Sequence, residues 1–380
     1  MDTTMSSSEI YIDFSPDWIV YKDGRVEQLN SRVFVPPSLD PKTNVESKDT
    51  PYSLENNLTL RLYLPKNTHQ NNSQKLPLLV YFHGGGFCAE SAFSSIYHSF
   101  LNSLVSKANI IAASIEYRKS PENPVPFPHD DSWTALKWVA SHSNGKGPDD
   151  WLNRHADFQR VFFSGDSAGA NIAHHMGLRH GLYKLDGVDL NGIVLCHPYY
   201  WGEKPIAGET EDVNLREKID KLRRFTCPAT KGFDDPLFNP AFDPKLGCFG
   251  SKRVRIFVAE LDFLRARGWY FAEILKKIGW GGDVEAWILI VEVVLNSPSS
   301  SASPHLAIDL RCSSPRSVSL QFFGLKLKLK VMAGGDNKKA EKKPKANVSG
   351  GGKKKKVKKE TGLGLSFKKD ENFGEWYSDF

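Results

Sequence analysis

RVFFSGDSAGAN, residues 160–171, changes character at its midpoint. The first half is an aromatic and β-branched run of the kind that makes a buried strand, and the second half is small and helix-forming. Between them stand Gly165, Asp166, Ser167, Ala168 and Gly169. A serine on a tight strand-to-helix turn has its hydroxyl held above the sheet edge within reach of a base, and the flanking glycines relieve the crowding. The same pattern also fits a serine that merely caps a helix.

A second glycine motif favours the catalytic alternative. His83, Gly84, Gly85, Gly86 and Phe87 directly follow the apolar run LPLLVYF (76–82), so both motifs fall at strand ends. Three consecutive glycines let the backbone turn its amides toward a bound acyl oxygen. Those amides, with that of Ala168 after the serine, would hold a developing oxyanion. A flexible glycine turn beside a strand-end histidine is the competing reading.

Working outward, NIIAASIEY (109–117), GIVLCHP (192–198) and RVRIFVAE (253–260) are further strand candidates, and Ile288–Leu295 reads as another. Residues 130–142, 167–180 and 265–278 carry helical patterns between or after them. Alternation of this kind predicts an α/β fold with a mostly parallel central sheet, and the continuous apolar strands predict helices on both faces. The charged, proline-rich segment 201–250 is expected to form a cap above the strand ends. No internal repeat is visible.

A serine needs a base to take its proton, and the base needs a carboxylate to orient it. With a nucleophile turn of this type the acid and then the histidine follow in chain order. Asp262, just past RVRIFVAE, is the leading acid, with Glu260 and Asp235 behind it. His305 is the sole histidine downstream of Asp262 and is therefore the candidate base. His174 and His175 lie too close to Ser167 along the helix to swing back over it. His197 ends a strand but precedes the acid, which suits a packed or hydrogen-bonded residue.

Composition narrows the classes. The chain has 380 residues, 40% of them hydrophobic and 25% charged, which fits a large folded domain rather than disorder throughout. The net charge of +6 is local. Residues 332–380 hold thirteen lysines, no arginine and seven acids, and in the other 331 residues lysines and arginines together equal the acids. A basic surface spread over the fold, of the kind that steers nucleic acid or membrane binding, is thus not indicated. The five cysteines, Cys88, Cys196, Cys227, Cys248 and Cys312, are far apart with no CxxC pair, so neither a disulfide framework nor a zinc site is expected. The amino terminus lacks the basic start and apolar run of a secretory signal, and no window approaches the ~18 apolar residues of a membrane span. A cytoplasmic location is the expectation.

The blocks EIYIDFSPDWIVYKDGRVEQL, VYFHGGGF, EYRKSPENPVPFPHDDSWTALKWV, GDSAGAN and AELDFLRARGWYFAEILKKIGWGG occur in this order over residues 8–287. Together they resemble the plant carboxylesterase branch of the α/β-hydrolase fold, the group similar to hormone-sensitive lipase. The resemblance implies hydrolysis of short acyl or aryl esters, a small-molecule ester substrate, and no metal or cofactor. It assigns Ser167 as nucleophile, Asp262 as acid, and the amides of Gly85, Gly86 and Ala168 as the oxyanion hole. The group also contains gibberellin receptors, which bind a small acidic hormone without a catalytic histidine, and 2-hydroxyisoflavanone dehydratases, which motifs alone do not separate from esterases.

The resemblance implies a histidine about thirty residues after the acid, in a Gly-Glu-x-His loop before a final helix. Neither is present in the sequence. Three regions are expected: a hydrolase domain over 1–290, an irregular Ser/Pro-rich stretch over 291–331 that includes the alternation LKLKLKV, and a lysine-rich, solvated tail over 332–380. The tail, MAGGDNKKAEKKPK followed by KKETGLGLSFKKDENFGEWYSDF, resembles the start of a eukaryotic cytosolic prolyl-tRNA synthetase. The expectation is a chain in which an incomplete hydrolase, an intervening stretch and the opening of a second protein are joined. No synthetase activity and no specific nucleic acid partner follow from it.

Overall fold

Every residue of Ile111–Ile115 is buried, and Leu76–Phe82 is buried at all positions but one, which requires cover on both faces of whatever sheet they join. The computed structural model describes residues 9–29, 33–66, 75–232, 234–294, 308–312 and 326–333. Its elements run β1 (Ile10–Phe14), β2 (Trp18–Tyr21), β3 (Val26–Gln28), β4 (Leu39–Asp40), β5 (Val45–Ser53), β6 (Leu58–Pro65), β7 (Leu76–Phe82), α1 (Ser95–Ala108), β8 (Ile111–Ile115) and α2 (Phe127–Ala140). They continue with α3 (Asp150–His155), β9 (Ala156–Asp166), α4 (Ala168–Tyr183), β10 (Leu190–Cys196), α5 (Val213–Thr226), β11 (Arg253–Ala259), α6 (Arg265–Lys277), β12 (Asp283–Val294), β13 (Ile308–Cys312) and β14 (Lys326–Ala333).

Among the described residues the main sheet has the order β13-β14-β12-β11-β10-β9-β7-β8-β6-β5-β4. The run from β8 through β7, β9, β10 and β11 to β12 is parallel. Parallel neighbours need crossover connections, and helices supply them on both faces. One face packs a large core that includes Phe82, Phe163, Ile193, Ile256 and Phe271, and the other packs Leu79, Leu101, Leu104, Ala112 and Val194. The expected α/β architecture is the observed one.

The register sets the site. Cys196 pairs with Asp166 on one side and with Phe257 on the other. The carboxyl ends of β9, β10 and β11 are therefore level, and the turns that follow them, at Ser167, His197 and Asp262, lie side by side. Two further parts stand near these ends. The small antiparallel sheet β1-β2-β3 packs its first strand against α5. The segment 201–250, read as a cap, holds α5, whose amino end is capped by the Asp212 side chain accepting from Asn214 and Leu215 amides.

The carboxyl-terminal part differs from the sequence reading in one respect. The stretch from 291 to 331 contains strand residues: β12 continues to Val294, β13 spans Ile308–Cys312, and KLKLKV (326–331) falls within β14. Strict alternation is the period of a strand, and β14 uses it to pair antiparallel along β12, with β13 parallel to β14 beyond. His305 and residues 334–380 lie outside the described residues. Among those described, no helix is long and apolar enough to cross a membrane.

Candidate active site

Ser167 has φ 51° and ψ −116°, a region that side chains other than glycine rarely adopt. Its backbone is held against this strain from both sides. The amide donates to Cys196 O at 2.8 Å and the carbonyl accepts from Tyr199 N at 3.0 Å. The side chain makes no capping hydrogen bond to α4, so the helix-cap reading of the motif does not describe this serine. The flanking glycines are required by contact rather than by helix geometry. A Cβ on Gly165 would meet Gly169 backbone at 2.4 Å, and one on Gly169 would meet Phe82 O at 2.0 Å. The turn is thus pressed against the end of β7, where the second glycine motif begins.

In that second motif Gly85, Gly86 and Phe87 all have positive φ, at 103°, 60° and 63°. The loop curls so that the Gly85 carbonyl accepts from the amides of Cys88 and Ala89. A Cβ on Gly85 would meet Ala89 O at 2.2 Å, whereas one on Gly86 would face Leu222 at 3.4 Å and Trp18 at 3.7 Å. Gly86 therefore lines a space bounded by α5 and by β2. His83 is buried and does not face that space. Its Nδ1 lies 2.8 Å from Gly84 O, and because a carbonyl only accepts, Nδ1 carries the hydrogen. The ring stacks on Tyr117 at 4.2 Å, and the Tyr117 hydroxyl donates to His83 O at 2.6 Å. Glu116 closes the back of the loop by accepting from Ser91 Oγ and the Ala92 amide. Burial raises its pKa, but the adjacent His83 and Lys119 overcome that and hold the carboxyl at about 2.

Asp262 stands in the turn after β11. Its Oδ1 accepts from the Leu264 amide at 2.9 Å, which fixes the start of α6. Its Oδ2 lies 3.1 Å from His197 Nδ1. The two side chains are partly exposed, 17% for Asp262 and 23% for His197. The structure thus brings Ser167, Asp262, Gly85, Gly86 and Ala168 to one end of the sheet, and His305 is not among the described residues. Of the lesser acid candidates, Glu260 is exposed, and Asp235 is spent within the cap, accepting from the amides of Lys231 and Leu237. His174 and His175 are buried packing residues, stacked at 4.6 Å.

Several members of this arrangement carry no motif. Tyr97 comes from α1, outside every quoted block, and the pairing of His197 with Asp262 arises because β10 and β11 are neighbours. The cap is joined to the acid turn by another contact outside any motif. Arg267, two residues into α6, donates from Nε and Nη2 to both carboxylate oxygens of Glu209 at 2.9 and 3.1 Å, and from Nη2 to Lys204 O at 2.7 Å. Both residues are buried. Among the described residues no group of His, Cys, Asp and Glu is placed to hold a metal ion.

Comparison with known proteins agrees with this geometry. Residues 79–288 match a family model described as the alpha/beta hydrolase fold. A probable carboxylesterase 13 of Arabidopsis thaliana is 48% identical over 289 residues, covering 73% of this chain and 88% of that one. A 2-hydroxyisoflavanone dehydratase of Glycyrrhiza echinata is 44% identical over 292 residues, covering 74% and 88%. A solved esterase of the archaeon Pyrobaculum calidifontis superposes with a TM-score of 0.51 at 23% identity, over 64% of this chain and 76% of that one, which shows the shared fold. The chain belongs to the α/β hydrolase fold family and is a relative of its plant carboxylesterases.

Proposed function

We propose that this chain is a serine carboxylesterase acting on small esters. The observation that carries the reading is the strained Ser167 turn, closed by glycine contacts against a loop whose Gly85 and Gly86 have positive φ. Ser167 Oγ attacks the ester carbonyl, its proton passes to a base, and the carbonyl oxygen takes the negative charge. The amides of Gly85, Gly86 and Ala168 receive that oxyanion. Collapse of the tetrahedral species breaks the bond to the alcohol, which leaves with the proton from the base. Water then attacks the acyl-serine by the same steps in reverse order and frees the acid. Asp262 is the carboxylate of the set, and His305 is the base that the chain order assigns. No step calls for a metal or a cofactor.

Turnover of p-nitrophenyl acetate and butyrate by the wild type, Ser167→Ala and His305→Ala tests the reading. Serine-dependent turnover is expected, with loss on the order of 10³-fold or more in Ser167→Ala because the members of such a set act as a unit. Turnover unchanged in Ser167→Ala overturns it, and turnover insensitive to His305→Ala removes His305 from the set. The 44% identity to a 2-hydroxyisoflavanone dehydratase favours one second reading, in which the same pocket eliminates water from a 2-hydroxyisoflavanone. Formation of the isoflavone in place of ester turnover would establish it.

The same reading divides the chain into a hydrolase domain over 1–290, a connecting stretch over 291–331 and a lysine-rich tail over 332–380 that resembles the start of a prolyl-tRNA synthetase. Full-length transcript sequencing across codons 285–335 tests whether one message carries all three parts.

A further inference from the structure

Asp166, beside the candidate nucleophile, sends its side chain away from the substrate space. Oδ1 accepts from the Tyr81 hydroxyl and Oδ2 from the Tyr97 hydroxyl, each at 2.9 Å. Both tyrosines are buried. Tyr97 belongs to α1, and its oxygen also accepts the amide hydrogen of Gly84 at 2.8 Å. The direction of this chain is fixed by donor count. An amide can only donate, and a phenol has one hydrogen. The Tyr97 oxygen therefore accepts from Gly84 and gives its own hydrogen to Asp166. Gly84 has no room to move toward the turn, since a Cβ there would meet Asp166 Oδ2 at 2.3 Å.

We propose that Asp166 and Tyr97 are positioning residues of the oxyanion loop: the carboxylate orients the Tyr97 hydroxyl, and the hydroxyl holds the Gly84 amide so that the following amides face the acyl oxygen. This rests on the serine esterase reading of the site. It explains why an acidic residue stands at this place in the turn, where its carboxylate bonds the two phenols rather than capping α4. Burial raises the carboxyl's pKa, and the two phenol hydrogen bonds oppose that rise, Tyr97 more than Tyr81. Pre-set amides contribute through placement, and a displacement of about 1 Å costs up to about 100-fold in rate.

Tyr97→Phe removes the link between Asp166 and Gly84, whereas Tyr81→Phe removes the other phenol and leaves that link in place. Steady-state turnover of p-nitrophenyl butyrate is expected to show kcat reduced about 10- to 100-fold in Tyr97→Phe with KM within about twofold, and kcat close to wild type in Tyr81→Phe. Amide hydrogen exchange over residues 83–88 reads the loop without turnover, and faster exchange is expected in Tyr97→Phe alone. Equal kcat in Tyr97→Phe and wild type, equal loss in the two tyrosine variants, or unchanged exchange over 83–88 would each overturn the proposal. Ser167→Ala, run beside them, separates this from failure of the esterase reading. If turnover does not depend on Ser167 the reading fails, and the exchange measurement still decides whether Tyr97 holds the loop.

Discussion

His197 Nδ1 stands 3.1 Å from Asp262 Oδ2, and the same nitrogen is 3.2 Å from the Ala259 amide. A backbone amide can only donate, so Nδ1 accepts from Ala259, and the ring is seated between that amide and the Asp262 carboxylate. The Leu264 amide on Oδ1 fixes the orientation of the candidate acid, with His197 packed against its other oxygen.

From this contact His197→Ala is expected to lower kcat for p-nitrophenyl butyrate about tenfold with KM little changed, through loss of Asp262 placement. A double-mutant cycle in kcat/KM with Asp262→Asn is the check. If the contact matters, the double variant loses little more than Asp262→Asn alone, with a coupling of about 1 kcal/mol or more. Additive losses would show that His197 does not act through Asp262.

Gly169 and Gly86 should respond to alanine in opposite ways. At Gly169 the new Cβ would meet two backbone oxygens, Phe82 O at 2.0 Å and His83 O at 2.5 Å. Neither can yield, so Gly169→Ala is expected to cost about 3 kcal/mol or more in urea unfolding. At Gly86 the neighbours are side chains at 3.4 and 3.7 Å. Gly86→Ala should keep its fold but lose turnover, because φ 60° disfavours alanine and its methyl enters the space facing the loop. Melting temperature and kcat measured on both proteins distinguish the two effects.

How much of this was visible in the residues can be judged from particular positions. The apolar run Leu76–Phe82 has the bounds of its strand, and RVRIFVAE runs one residue past the end of its own at Ala259, because the buried centres of parallel strands are apolar. Ser167 and the glycines are local in sequence, and their geometry follows from the turn they form. His197 precedes the acid in the chain, which suits a packed residue rather than a base. Its pairing with Asp262 depends on which strands are neighbours, and β10 beside β11 is not inferable from either strand's own pattern. Tyr97 has the same standing: it is an ordinary aromatic on α1 until the helix is docked, and then its hydroxyl reaches both glycine motifs. His305 is read from chain order alone.

The buried pair Arg267–Glu209 gives a stability prediction. Removing one partner of a buried, bidentate ion pair leaves an uncompensated charge, which costs about 3–5 kcal/mol. Glu209 is also 3.2 Å from Arg216, so Glu209→Ala strands two guanidinium groups between the cap and α6. Its urea midpoint should fall accordingly, and the cap residues 201–212 should become protease-sensitive. Replacement of both Arg267 and Glu209 by apolar residues of similar size should recover much of the loss. A midpoint unchanged in Glu209→Ala would show that the pair does not anchor the cap.

Acid sensitivity should set in near the histidine range rather than only in the carboxylate range. His129, His174 and His175 are packed together, and burial holds all three below the usual 6.5, with the neighbouring histidines adding to it for His129 and His174. His129 Nε2 faces Asn171 Oδ1 at 3.0 Å, so it carries the hydrogen, and His175 Nε2 faces Leu237 O at 3.2 Å with the same consequence. A histidine whose folded pKa is depressed takes its proton more readily in the unfolded chain. Its contribution is therefore complete above the unfolded value and is lost as pH falls below about 6.5. Glu116, with its carboxyl held at about 2, has the same sign in a lower window: its contribution is present above about 4.5 and fades toward pH 2. The urea midpoint should thus be flat from about pH 8 to 7, decline from about 6.5, and steepen below about 4.5. His174→Phe, which keeps an aromatic ring against Phe249 and Phe271 but cannot bind a proton, should flatten the upper decline and leave the lower one in place. An upper decline as steep in His174→Phe as in the wild type would remove His174 as one of its sources.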